Sequence, residues 1–106
     1  MAQVPDVVRQ KVLRLYDSVR DLFPIRKVLL YGSYAKGRAS ADSDIDLLVI
    51  SEGFSGKDYW ERIDILSAAI YRIFEPIEAV AMTPQEWQSG DSLIADYARN
   101  GEVVYG

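Results

Sequence analysis

The sequence has 106 residues, 49% of them hydrophobic and 26% charged, and carries a net charge of −4 at pH 7. That length suits one compact domain with a single core and is too short for two, so residues 1–106 are expected to form one domain. The acidic balance argues against an extended nucleic-acid surface, which needs a basic stripe. Cysteine and histidine are both missing, which excludes disulfides, thiolate chemistry and imidazole bases or ligands.

The opening residues MAQVPDVVRQ lack the basic-then-apolar layout of a signal peptide. No apolar run approaches the ~18–20 residues that span a bilayer. The expected location is the cytoplasm, with no membrane contact.

Residues 7–22 predict an amphipathic helix, because Val8, Val12, Leu15, Val19 and Leu22 recur at spacings of four and three. Pro5 and Asp6 suit its first turn, and Pro24 is expected to end it. The run Lys27–Tyr31 (KVLLY) stops abruptly at Gly32-Ser33, which favours a short buried strand. Residues 32–43 are rich in Gly, Ser and Ala, with Lys36 and Arg38 among them, and read as a connection.

Asp44 to Ile50 (DIDLLVI) predicts a second strand. Its last four residues are apolar on both sides, as in a strand covered on both faces. Ser51 to Gly56 reads as a loop. Residues 58–74 predict a second long helix with an Ile63, Leu66, Ile70 and Ile73 stripe, flanked by Trp60, Tyr71 and Phe74. Pro76 stops it, and Ile77–Met82 (IEAVAM) predicts a third strand with Glu78 near its start.

Thr83-Pro84-Gln85-Glu86 has the pattern of a capping box with proline at the first helical position. Asp91 is expected to start a further short helix through Leu93, Ile94 and Tyr97, closed by Gly101 as a C-terminal cap. Glu102–Tyr105 reads as a final edge strand. The fold class is α/β (α+β): a small mixed sheet of three to four strands flanked by helices.

The stretch Gly32 to Ile50 carries the chemistry. A strand ending in Gly-Ser lets backbone N–H groups and a small hydroxyl approach an anion, although such a pair also makes an ordinary turn. Asp44 and Asp46 are two apart, so on a strand they share one face. Two neighbouring anions are either solvated at a rim or neutralised by a cation. Asp42 reads as a turn former. Glu78 precedes an apolar run much as these aspartates do. If its strand neighbours theirs, three carboxylates converge, a set suited to one or two Mg²⁺ ions that also hold phosphate oxygens.

Gly32-Ser33, ten residues, then Asp44-Ile45-Asp46 resembles the signature of the DNA polymerase β-like nucleotidyltransferase superfamily. The wording GSYAKGRASADSDIDLLV is similar in particular to the minimal nucleotidyltransferase (MNT) group. The ending Asn100 to Tyr105 also looks like the close of an MNT domain. This resemblance implies a polymerase β-like core that transfers a nucleoside monophosphate from ATP or another nucleoside triphosphate to a hydroxyl, using Mg²⁺, two ions in the family. It implies Asp44 and Asp46 as metal ligands and Glu78 as the third carboxylate, which binds metal and assists deprotonation of the acceptor. Gly32 and Ser33 match the contact to the terminal phosphates. Lys36 and Arg38 either meet the triphosphate or are surface charges. The family commonly has aspartate where this chain has Glu78, one methylene longer.

Only twenty-eight residues follow Glu78, too few for an acceptor-binding domain, so the acceptor is expected on another protein or in an open cleft. Domains of this size resemble the MNT antitoxins paired with helical HEPN toxins, where AMP transfer to a toxin tyrosine is a mode of neutralisation. Three readings follow: an adenylyltransferase antitoxin acting on a HEPN partner, a non-catalytic antitoxin that masks its toxin by contact, and a small-molecule (aminoglycoside-like) nucleotidyltransferase. The oligomeric state is left open.

Overall fold

The computed structural model describes residues 6–22, 24–32, 45–73, 77–90, 93–99 and 101–106, leaving aside the side chains of Leu93, Ile94 and Tyr97. In chain order the elements are α1 (Asp6–Arg20), β1 (Lys27–Tyr31), β2 (Ile45–Ile50), a 3-10 turn (Glu52–Phe54), α2 (Tyr59–Ile73), β3 (Ile77–Met82), α3 (Pro84–Ser89), α4 (Leu93–Ala98) and β4 (Glu102–Tyr105). The four strands form one mixed sheet in the order β3-β2-β1-β4. Strand β1 runs antiparallel to both β2 and β4, and β2 runs parallel to β3. A parallel pair needs a crossover, and α2 supplies it. Among the described residues no helix is long and apolar enough to cross a membrane.

Strand β2 sits inside the sheet with helices over both faces. Its apolar residues therefore alternate between two cores rather than between core and solvent. Ile45, Leu47 and Val49 face α1 and α2, where they meet Val12, Leu15 and Leu66. Leu48 and Ile50 face the other way, with Leu29, Met82 and the alanines of α4, Ala95 and Ala98. Leu47 and Leu48 are fully buried. Each such side chain contributes about 1.5–3 kcal/mol relative to an exposed position, so the strand that carries Asp46 is among the best-anchored parts of the fold.

The helix ends show where local rules act. The α1 stripe of Val8, Val12, Leu15 and Val19 is buried as its spacing requires. Leu22 departs from the expected stripe: the helix ends at Arg20, two residues short of the predicted end, and Leu22 is 61% exposed. Its N–H bonds to the Val19 carbonyl at 2.9 Å, an i−3 turn that rotates the side chain off the helix face. The predicted Pro24 stop is thus anticipated by the chain itself.

In α2 the first residue of the predicted span, Asp58, lies outside the helix and caps it. Its Oδ1 accepts from Glu61 N–H at 2.8 Å, and Glu61 Oε1 accepts from Asp58 N–H at 3.2 Å, a reciprocal box that satisfies two end donors. The expected box at Thr83 and Glu86 opens α3, with Pro84 in its first turn. Gly101 closes α4 through its N–H to Ala98 O at 2.9 Å. A Cβ there would meet the Leu30 carbonyl, so close backbone approach, not a left-handed cap, selects glycine. The expected start at Asp91 lies outside the described residues, as does Phe74.

The loop read from Ser51 to Gly56 is more structured than its composition suggests. Phe54 is fully buried, and Ser51 is buried with its Oγ donating to Pro24 O and accepting from Gly53 N–H. It ties the start of β1 to the end of β2, at the end of the sheet opposite Asp46.

Candidate active site

The sheet register builds the site. Asp46 pairs with Tyr31 of β1 on one side and with Glu78 of β3 on the other. Residues directly opposed in neighbouring strands point to the same face, and adjacent strands lie about 4.8 Å apart. Tyr31, Asp46 and Glu78 thus form one row across three strands. The row lies on the α3/α4 face, shared with Leu29, Leu48 and Met82. It sits at the end of the sheet where β1 finishes and β2 and β3 begin.

Burial falls along this row. Tyr31 is buried, Asp46 half-buried and Glu78 exposed. The interior end therefore holds its side chains by packing, and the outer end opens to solvent. Strand β1 is followed at once by Gly32, whose φ of +74° lies in the left-handed region, where a Cβ is penalised. A second constraint coincides with it. A Cβ on Gly32 would stand 3.2 Å from Asp46 Cγ and collide with Oδ2. Glycine is required here twice, to turn the chain and to leave room for the Asp46 carboxylate.

Of the predicted site residues, Gly32, Asp46 and Glu78 are described, and the fold brings all three to one end of the sheet. The condition on Glu78 is met, since β3 is the direct parallel neighbour of β2. Ser33, Lys36, Arg38 and Asp44 lie outside the described residues. Tyr31 is a member of the row that the sequence reading treated only as a strand residue. Its signal was its place immediately before Gly32, at the end of an antiparallel partner of β2.

Two carboxylates side by side, with space cleared around one of them, are a donor set for a hard divalent cation. Oxygen ligands of this kind suit Mg²⁺, which takes one or two protein carboxylates and completes its shell with water or phosphate. The residues present fit that ion. Among the described residues no group of three or more potential ligands occurs, so Asp46 and Glu78 are the described part of any such site.

The comparisons with known proteins concern both fold and sequence. A chain described as a nucleotidyltransferase from Sulfolobus solfataricus superposes with a TM-score of 0.65 at 19% identity, covering 97% of this chain and 89% of its own. A chain of a toxin–antitoxin complex with AMP-PNP gives 0.64 at 21% identity, covering 92% and 73%. A chain from the complex of tri-AMPylated Shewanella oneidensis HEPN toxin with MNT antitoxin gives 0.57 at 18% identity, covering 95% and 71%. At these identities the likeness is one of fold. A search of the curated proteins gives no match. The family model of the nucleotidyltransferase domain matches residues 12–91, a span that holds α1 from Val12 onward, the Gly32 turn and the whole Tyr31–Asp46–Glu78 row. The chain therefore belongs to the nucleotidyltransferase domain family.

Proposed function

We propose that this chain is an adenylyltransferase antitoxin: it transfers AMP from ATP to a hydroxyl of a helical HEPN toxin and so neutralises it. The observation that carries the reading is the pairing of Asp46 with Glu78 on adjacent strands, beside a glycine turn that leaves the Asp46 carboxylate room. Its structural neighbours support the class of nucleotide and of partner, one being a chain of a toxin–antitoxin complex with AMP-PNP and another a chain of an AMPylated HEPN toxin with its MNT antitoxin.

In this reading the acceptor oxygen attacks the α-phosphorus of ATP. A new P–O bond forms as the bond from that phosphorus to the oxygen bridging to the β-phosphate breaks, and pyrophosphate leaves with the electron pair. Glu78 takes the hydroxyl proton. Its exposed position at the outer end of the row suits an acceptor that arrives from solvent on another protein. Asp46, more deeply set and rigidly backed by β1, holds its geometry while the acceptor docks. Asp44 joins Asp46 and Glu78 as a metal ligand, while Gly32 and Ser33 meet the terminal phosphates and Lys36 and Arg38 balance triphosphate charge. Mg²⁺ held by the carboxylates supplies charge neutralisation and lowers the pKa of the acceptor hydroxyl. Residues 1–106 act as one cytoplasmic domain, and the partner supplies the acceptor.

A second reading rests on one residue. Glutamate stands at 78 where the family commonly has aspartate, and a carboxylate one methylene too far for the metal would leave an antitoxin that masks its toxin by contact alone. Incubation with Mg²⁺, α-labelled ATP and the HEPN partner separates the two. Transfer predicts label on the partner that disappears with Asp44→Asn/Asp46→Asn. An unlabelled partner, still neutralised by that double variant, would establish masking.

A further inference from the structure

The two edges of the sheet are built differently. Strand β4 has four residues, and its register with β1 shifts between Val28 and Leu29. A short, irregular edge resists pairing with another chain. Strand β3 has six residues, Ile77–Met82, in unbroken register with β2. It contains no proline, lysine or bulge, and its only charge, Glu78, is one residue from its start. Ala79, Val80 and Ala81 are half-buried where their β2 partners Leu47, Leu48 and Val49 are buried. Among the described residues the outer side of β3 pairs with no strand.

Helix α2 overhangs this edge. Its inner face packs on the core through Leu66 and Ala69. A groove of about 410 Å³ separates β3 from the start of α2, with Tyr59, Arg62 and Ile63 on one wall and Ala79–Ala81 on the other. Continuing outward from Ile63, the row Trp60, Ile63, Ser67, Tyr71 follows spacings of three and four, the spacing of a helix-packing seam. Its two aromatic members are not buried: Trp60 is 69% exposed and Tyr71 76%. Tyr59, at the mouth of the groove, is 66% exposed and meets Trp60 edge-on.

We infer that the β3 edge and the outer flank of α2 form a two-fold interface between two copies of this chain. A strand edge that no described strand pairs is complementary to itself. A two-fold axis at Val80 pairs Val80 with its counterpart, Ala79 with Ala81 and Glu78 with Met82. The two glutamates are kept apart, and small residues lie where the helices approach. For a helix seated over β2 and β3, the axis half a strand spacing beyond β3 sets the two α2 helices about 10 Å apart, close to the 8–10 Å of packed helices. The aromatic seam of each helix then meets that of the other. Three rings of roughly 150–250 Å² each, about two-thirds to three-quarters exposed, offer on the order of 300–500 Å². That is about half of the ~800 Å² per partner of a standard interface, and the six-residue edge lies beside it to supply the rest.

The test is sedimentation velocity over a range of protein concentration, with amide exchange of residues 77–82 measured in parallel. The wild type should pass from the 12.0 kDa monomer to a species of twice that mass, with those β3 amides that do not bond to β2 gaining protection as it does so. Trp60→Glu/Tyr71→Glu changes two side chains that are 69% and 76% exposed. It should keep the far-ultraviolet dichroism and thermal melt of the dilute wild type while weakening self-association by on the order of 30-fold or more, the effect of losing an interfacial hot spot. A wild type monomeric throughout would overturn the inference, whatever the exchange of the β3 amides that do not bond to β2. A dimer indifferent to the double variant would place self-association on another face and overturn it as well.

Discussion

Replacing Gly32 by alanine separates the two demands placed on that position. The first is backbone conformation: at φ +74° a Cβ costs about 1–2 kcal/mol. In a domain of this size that lowers the melting temperature by roughly 5–15 °C. The second is space: the new methyl lies 3.2 Å from Asp46 Cγ and overlaps Oδ2, so the carboxylate must move by about an ångström. Misplacement on that scale costs on the order of 100-fold in a positioned reaction. Gly56 provides the control. Its φ is +77°, and nothing lies within 4 Å of a Cβ built there. Gly56→Ala should therefore show the same loss of stability with nucleotidyl transfer intact, and Gly32→Ala should lose both. Urea melts and initial rates on the two purified variants make the comparison. Gly32→Ala with full transfer activity would refute the claim that Gly32 exists to make room for Asp46.

Two further outcomes follow from the supporting structure. Burial alone would raise the Glu86 carboxyl, but hydrogen bonds from Thr83 and Arg62, together with the Arg62 charge, hold it below the usual range. A lowered folded-state pKa adds stability that is present above the unfolded value, about 4.3, and lost as pH falls through the folded one. Glu86→Gln should remove this acid-side loss, so chemical melts of the two proteins should differ at neutral pH and converge in acid. Ser51→Ala leaves Pro24 O and Gly53 N–H without their buried partner and should cost about 1–3 kcal/mol, read as a shift in urea midpoint with unchanged slope.

Most of the fold is written in short-range pattern. Strands β1, β3 and β4 follow the runs KVLLY, IEAVAM and EVVY residue for residue, because each run is apolar or alternating and bounded by residues that cannot extend it. The capping box at Thr83 was legible for the same reason, since its partners are three residues apart. What depends on distant contacts was not. The periodicity of α1 runs on to Leu22, yet the helix ends at Arg20, where the Leu22 N–H turns back to the Val19 carbonyl. Phe54 sits in a polar loop and is nevertheless buried against the core. Trp60 and Tyr71 flank the α2 stripe in sequence but are 69% and 76% exposed, on the side of the helix where β3 is the last described strand of the sheet. In the candidate site, Asp46 and the glycine turn carry a local signal in the sequence, while Asp44 lies outside the described residues. The adjacency of Glu78 to Asp46 depends on strand order, and the collision awaiting any side chain at 32 depends on register. Local sequence encodes neither.

The central claim is that Asp46 and Glu78 act together as cation ligands. Calorimetric titration of Mn²⁺ into the protein, in the presence of a non-hydrolysable ATP analogue, addresses it without requiring turnover. The wild type should bind the ion, and Asp46→Asn and Glu78→Gln should each weaken binding, with the double variant losing little more than the stronger single one because the pair acts as one site. Binding that is the same in all four proteins would contradict the account.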